Sequence, residues 1–473
     1  MPTGDAPAVA TRTEHDSLGP VAVPADRLWG AETERSRQHF AIGRPEAMRW
    51  PREVVRAFGL VKGAVARANG DTGALPAALA SSIAAAADEV AAGQWDAEFP
   101  LGVFQTGSGT HSNMNANEVI ANRANQRAGV ALGTYDPVHP HDHVNLGQSS
   151  NDVFPTVMHL ATLDAVAALA PGVQRLRAAL AVHAAAWRDI PMLGRTHYQD
   201  ATPIMAGEVV GAWIVHLDDA WRRVDATTGE LSIVALGATA VGTGLGAPPP
   251  MVARALEHLG HAAGHPLRAA PHLPSALTAH DAMAATSAAL RALAAALFAL
   301  ATDVRLHAAG PRAGIAELRL PAHEPGSSMM PGKVNPTQCE ALTMVALHVF
   351  GADATVAWAN AQGAFQLNVY KPLILYHVLE SARLLGDACS SFAAFGVEGM
   401  TLDRERVERH VRDSLMLGTA LVPFIGYDRA AAVARVAAER GVSLREAAAT
   451  ADITPEQFDA WVDATRMARP HRA

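Results

Sequence analysis

A mainly α-helical protein built around a bundle of long helices is what this 473-residue sequence predicts. Three observations carry that expectation. Roughly a fifth of the chain is alanine, the strongest helix former. Aromatic residues make up only 5%, and few stretches alternate apolar with polar side chains as a half-buried strand would. Alanine- and leucine-rich segments with helical spacing also run well beyond the length of an ordinary globular helix.

The elements divide the chain into three predicted domains, as its length allows. Residues 1–148 are mixed: polar turns at Gly70-Asp71 and Tyr135-Asp-Pro137 separate short helical segments such as Ser81–Ala92. Residues 149–403 hold the long segments Pro155–Arg188, Met205–Glu230, Thr278–Ala308, Cys339–Ala359 and Tyr370–Phe395. Several of these are apolar on more than one face, so burial by other copies of the chain is expected. Residues 404–473 carry shorter helices at Arg404–Gly418, Arg429–Arg440, Leu444–Ala451 and Pro455–Ala464.

Charge and composition exclude several function classes. Net charge is 38 − 46 = −8, without basic blocks, so no nucleic-acid partner is expected. Two cysteines, Cys339 and Cys389, cannot form a disulfide framework or a four-cysteine zinc site. His139, His141 and His143 alternate near Asp142 without further ligand spacing, so no metal is expected there. Gly237–Gly246 matches no dinucleotide pattern, and no phosphate-binding P-loop is present. Met1–Glu14 lacks a leader pattern. The longest uncharged run, Leu231–Ala253, is broken by glycines and by Pro248, Pro249 and Pro250, and reads as a loop. A cytoplasmic protein with no membrane contact is the expectation.

Four polar, glycine-containing stretches interrupt the helices. Thr106-Gly-Ser-Gly-Thr-His-Ser-Asn-Met-Asn115 crowds hydroxyls and amides around two glycines, which suits carboxylate or phosphate oxygens; the alternative is a helix cap. Gln148-Ser-Ser-Asn-Asp152 precedes the first long helix and is either an anion site or a plain N-cap. Seven of the eleven asparagines fall between Asn113 and Asn151, which favours a site. Gly194-Arg-Thr-His-Tyr-Gln-Asp-Ala-Thr-Pro203 reads as a polar loop, with His197 a candidate proton carrier. Glu324-Pro-Gly-Ser-Ser-Met-Met-Pro-Gly-Lys-Val-Asn-Pro336, leading to Glu340, cannot be a continuous helix and reads as a loop suited to a lid or catalytic group. The chain has three lysines among its 38 basic side chains, Lys62, Lys333 and Lys371, and Lys333 falls in this loop. Where charge alone matters this chain uses arginine, so a lysine marks a place where a compact ammonium is wanted.

With these motifs in view, the chain resembles the fumarase/aspartase superfamily, whose signature corresponds to Gly326-Ser-Ser-Met-Met-Pro-Gly-Lys-Val-Asn-Pro336. Asp16-Ser-Leu-Gly19 with Pro24-Ala-Asp-Arg-Leu-Trp-Gly30, and Phe424-Ile-Gly-Tyr-Asp428, look like the two ends of the family pattern. The resemblance covers nearly the whole chain and is strongest to the class II fumarases: Pro331-Gly-Lys-Val-Asn-Pro-Thr-Gln-Cys-Glu340 and Gly194-Arg-Thr-His197 are similar to their versions. It implies a three-domain fold, with residues 1–148 as the N-terminal lyase domain, and a tetramer with a roughly 20-helix core.

The resemblance further implies a lyase of the tricarboxylic acid cycle, hydrating fumarate reversibly to L-malate without metal or organic cofactor. Ser327 matches the base, Lys333 and Asn335 suit stabilisation of the aci-carboxylate carbanion, and His197 with Glu340 matches the pair that handles water. Ser108, Thr110, Ser149, Ser150, Asn151, Thr196 and Asn335 match substrate-binding positions. Each active site would draw on three chains. A second dicarboxylate site would lie at His139, His141 and Asp142, where this chain has His-Pro-His-Asp in place of the family's His-Pro-Asn-Asp. Leu146 and Gly147 depart from the pattern next to Ser149, which leaves room for a changed substrate. The alternatives are another fumarate-releasing enzyme such as an aspartate ammonia-lyase, or a non-catalytic helical scaffold.

Overall fold

The computed structural model describes residues 10–469. The leader reading of Met1–Glu14 falls mostly outside them. The described chain opens with the hairpin β1 (Thr11–Asp16) and β2 (Gly19–Pro24). Helices α1 (Arg52–Asp71), α2 (Ala77–Ala91) and α3 (Thr110–Arg127) follow, then the 37-residue α4 (Ser150–Ala186). A second hairpin, β3 (Pro191–Thr196) and β4 (Gln199–Met205), leads into α5 (Ala206–Ala226). Helices α6 (Pro249–Ala263), α7 (Asp281–His307), α8 (Thr337–Asn360), α9 (Lys371–Phe392) and α10 (Tyr427–Arg440) complete the larger elements. Among the described residues, strand content is limited to four two-stranded sheets.

All five long segments read from the sequence are helices, with ends displaced by no more than five residues. Two readings are corrected. Pro248–Pro250 is not part of a loop: Pro249 and Pro250 occupy the first turn of α6, where a missing N–H costs nothing. The stretch Gly194–Pro203 is not a loop but most of a hairpin, in which Thr196 pairs with Gln199 across a two-residue turn.

The chain forms two compact units. The first comprises residues up to Leu169, Arg223–Arg291 and His348–Leu384. Within it α1 packs against α2 and α6, burying Val54, Phe58, Val61 and Val65 on one side of α1. The second comprises Ala170–Arg222, Ala292–Leu347 and the chain from Leu385 onward. Its C-terminal core joins Leu193 of β3 to Val433 and Ala437 of α10, Leu421 and Phe458. Ser414 and Ser443 accept backbone N–H groups at the starts of the short helical turns that follow them.

Helices α4, α7 and α8 are long and apolar enough to cross a membrane by length and composition alone. The most apolar stretch of α4 is 72% buried inside the protein, so its apolar surface is used in packing, whereas that of α8 is only 33% buried. Within the second unit α4 and α9 approach closely: a Cβ on Gly172 would lie 2.4 Å from Gly386 O. Gly172→Ala should therefore cost about 1 to 3 kcal/mol by forcing the helices apart. Calorimetry should show an unfolding midpoint lowered by a few degrees; an unchanged midpoint would mean the contact has slack.

Candidate active site

The first unit brings two of the four motifs together. Residues 106–109 run against the segment ahead of α9, where Lys371 N donates to Gly107 O (3.2 Å). A Cβ at Gly107 would sit 1.5 Å from Val369 O, so only glycine fits there. Ser108 Oγ lies 2.8 Å from Thr110 Oγ1, and both residues are half-buried. On α3, Asn113 donates to Ser150 Oγ (3.3 Å) and Asn145 Oδ1 (3.2 Å), tying the first motif to the second. Asn117 and Lys62 donate to the same Asn145 oxygen at 3.1 Å, and Lys62 also donates to Gln148 Oε1 (3.0 Å).

Asp152 organises the start of α4. Its Oδ1 accepts Ser149 N (2.9 Å), and its Oδ2 accepts Gly237 N and Thr239 N (both 3.0 Å). Asn151 donates to Ala240 O (2.8 Å). The glycine-rich run 237–246 thus serves as the strap that holds the Ser149–Asn151 turn. Burial pushes the Asp152 carboxyl up, against the pull of its backbone donors and of Lys62. Ser149, Ser150 and Asn151 remain half-exposed beside the positive end of a long helix dipole, a geometry suited to a carboxylate.

The second unit carries His197. It and Tyr198 form the turn of the β3–β4 hairpin with φ of 56° and 58°, left-handed values that tight hairpin turns require and that non-glycine residues rarely adopt. The turn leaves both side chains exposed. The hairpin is anchored one residue before Thr196: Arg195 forms a two-pronged ion pair with the buried Glu317 (2.8 Å each), which also takes His307 Nδ1 (2.9 Å) and His410 Nδ1 (2.7 Å). Burial alone would raise Glu317, but these three partners outweigh it and hold its pKa at about 2. A cleft of about 1050 Å³ beside the hairpin is lined by residues that include Thr196, His197, Asp303, His307, His410 and Ser414.

The loop 324–336 closes on itself. Gly326 N donates to Lys333 O (2.9 Å) and Asn335 Nδ2 to Gly326 O (2.5 Å), while Thr337 bonds Glu324. Ser327 Oγ accepts two backbone N–H groups, from Met329 (3.2 Å) and Met330 (2.9 Å). Two such donors favour the alkoxide over the hydroxyl. Lys333 and Glu340 are exposed. Among the described residues, no hydrogen bond or ion pair joins His197, Ser327 and Glu340 to one another, and Ser327, Lys333 and Glu340 do not line the cleft.

His139, His141 and Asp142 share one tight turn. His139 Nδ1 accepts His141 N (3.3 Å) and Asp142 N (3.2 Å), and His141 Nε2 meets Glu32 Oε1 at 2.7 Å. The bond to Glu32 raises His141, so the cation there already has an anion. Among the described residues no three His, Cys, Asp or Glu side chains converge as a metal site. Sequence reasoning passed over Glu317, His307 and His410, which lie outside the four motifs. It also gave no role to Lys62 and Lys371, although the scarcity of lysine was the signal that pointed to them.

Comparison with known proteins identifies the family. The lyase family matches residues 19–351, and the fumarase C C-terminus family matches residues 417–469. A class II fumarate hydratase of Pseudomonas syringae is 51% identical over 97% of this chain and 98% of its own length. One from Methanosarcina acetivorans is 50% identical over 97% of this chain and 95% of its own length. The crystal structure of a class II fumarase from Schistosoma mansoni superposes with a TM-score of 0.95 at 37% identity, covering 98% of this chain and all of that one. Nearly full-length likeness in both sequence and fold places this chain in the class II fumarate hydratase family of the lyases.

Proposed function

We propose that the protein is a fumarate hydratase, interconverting fumarate and L-malate as in the tricarboxylic acid cycle. The observation that carries the reading is the 326–336 loop, where a serine oxygen is held by two backbone N–H donors within a few residues of the exposed Lys333. The hard step is removal of a proton from malate carbon 3, beside a carboxylate. Ser327 Oγ, as alkoxide, takes that proton. The carbanion that forms is an aci-carboxylate carrying additional negative charge, which Lys333, Asn335 and loop N–H groups stabilise as it develops. His197, paired with Glu340, then delivers a proton to the departing hydroxyl, which leaves as water; in the hydration direction it activates water. Ser108, Thr110, Ser149, Ser150, Asn151 and Thr196 hold the two substrate carboxylates. No metal or organic cofactor takes part in this scheme. A three-part division at residues 148/149 and 403/404 belongs to this reading: the Thr106–Asn115 motif falls in the first part, and the Gly194–Pro203 and Glu324–Pro336 motifs fall in the second.

The assembly follows from surface chemistry. On α8, Met344, Leu347 and Trp358 are 64%, 56% and 73% exposed in a single chain, and a patch of this kind needs a partner. We infer a homotetramer with a shared helical core, in which Ser327 and Lys333, His197, and Ser108 with Asn151 reach one site from three different chains. A cytoplasmic location suits a soluble enzyme of this kind. At the His139–Asp142 turn the Glu32 partner competes with any incoming dicarboxylate, so that second site is weak or lost.

Malate should yield fumarate absorbance far faster than aspartate or argininosuccinate does. Faster deamination of aspartate would make the protein an ammonia-lyase and direct attention to Leu146 and Gly147. Ser327→Ala should lower kcat by about 100-fold or more with an unchanged unfolding midpoint. A variant that keeps more than about a tenth of wild-type kcat would remove Ser327 from the role of base. Ser327→Ala and His197→Asn, each inactive, should complement when refolded together: about a quarter of sites in randomly mixed tetramers receive both intact residues, restoring roughly 25% of activity. Mixed tetramers that stay inactive would place both residues on one chain.

A further inference from the structure

Two of the three lysines are fully buried, each 0% exposed. Lys62 lies on α1 and Lys371 opens α9. An ammonium taken out of water is costly unless charge and hydrogen bonds compensate it. Lys62 Nζ has two neutral amide oxygens, Asn145 Oδ1 and Gln148 Oε1. Lys371 Nζ has no hydrogen-bond partner among the described residues. Such a group, retained at a cost, calls for a reason outside stability.

Position supplies one. Lys371 bonds the Ser108 loop through its own backbone N–H to Gly107 O, and Lys62 bonds the Gln148 side chain next to Ser149. Both ammonium groups interact with the same carboxylate, Asp152, which ties down the Ser149–Asn151 turn. The other titratable groups facing them are imidazoles. His280, buried ahead of α7, faces Lys371; burial and the Lys371 charge push its pKa well down, so it is neutral. His159, on α4, faces His280, and burial holds it at about 4. When both lysines are protonated, two cations against one carboxylate leave one positive charge in this local cluster.

We propose that Lys371 and Lys62 are positioning residues for substrate: with Asp152 they bury one net positive charge behind the two carboxylate-binding loops, and its field draws the dicarboxylate dianion onto them. In a medium of low polarizability this field reaches the loops with little screening, and the lysines need not touch the ligand. Burial draws both lysines down to about 7, with Asp152 opposing it, so the charge fades as pH rises past neutrality. The proposal rests on the hydratase reading above.

Lys371→Met is the direct test, since it keeps the volume and removes the charge. The expected result is a KM for malate raised about tenfold with kcat within about threefold. The unfolding midpoint should be unchanged or higher, because an unpaired buried charge is gone. Wild-type KM should also rise between about pH 6 and pH 8.5, and the variant should lose about half of that rise, because Lys62 still titrates there. Lys371→Gln, which restores a hydrogen-bond donor without charge, should behave like Lys371→Met. Wild-type KM in either folded variant overturns the proposal, as does a lowered midpoint in both with KM unchanged. Protection against thermal unfolding by fumarate, measured in parallel, reads binding without turnover. A wild-type protein that binds fumarate but does not hydrate it would sink the hydratase reading alone; equal protection of wild type and Lys371→Met would sink the lysine proposal alone.

Discussion

The Asp152 carboxylate is the point on which the first unit's chemistry depends. One oxygen fixes Ser149 at the start of α4, and the other holds the backbone of Gly237 and Thr239. A buried carboxylate with three backbone donors and two lysines acting on it is a strong local constraint. It makes the helix start, the glycine strap and the Ser149–Asn151 turn into one rigid piece. A flexible turn would lose affinity to the entropy of ordering, whereas this one presents its hydroxyls and amide ready-made.

The second unit solves a similar problem by different means. In the proposed reaction the histidine that handles water must be accessible, yet its backbone must not wander. Here the tight turn of β3–β4 exposes His197, and the bond network of Glu317 with Arg195, His307 and His410 anchors the strand just behind it. Leu193 continues the anchoring into the C-terminal core. The cost is paid in left-handed backbone at His197 and Tyr198, conformations that persist because the surrounding bonds over-determine them. The 324–336 loop is likewise closed by its own hydrogen bonds, so that Ser327 is held on an irregular segment without a supporting helix.

Much of this was legible in the sequence. The five long helices stood out because alanine and leucine at helical spacing leave few alternatives over such lengths. The Thr106–Asn115, Gln148–Asp152 and Gly326–Pro336 motifs were legible because glycine, proline and small polar residues cluster in them. The hairpin at Gly194–Pro203 was not. Its turn carries His-Tyr in place of the glycine or asparagine that normally marks left-handed turns, so composition pointed to a loop. The start of α6 was hidden for a related reason: three consecutive prolines signal a break, and only the neighbouring backbone decides that the break is a helix N-terminus.

The sequence by itself determined the helical class, the motif inventory and the family, because these depend on local periodicity and on residue types in order along the chain. The tertiary structure alone decided which groups share a buried volume. Nothing local distinguishes Lys371 from an ordinary surface lysine at a helix start, or Glu317 from an ordinary surface carboxylate. Their roles arise from burial and from partners elsewhere in the chain: Asp152 for Lys371, and Arg195, His307 and His410 for Glu317. Desolvation and charge pairing are properties of a position in space, and a linear sequence specifies that position only through the whole fold.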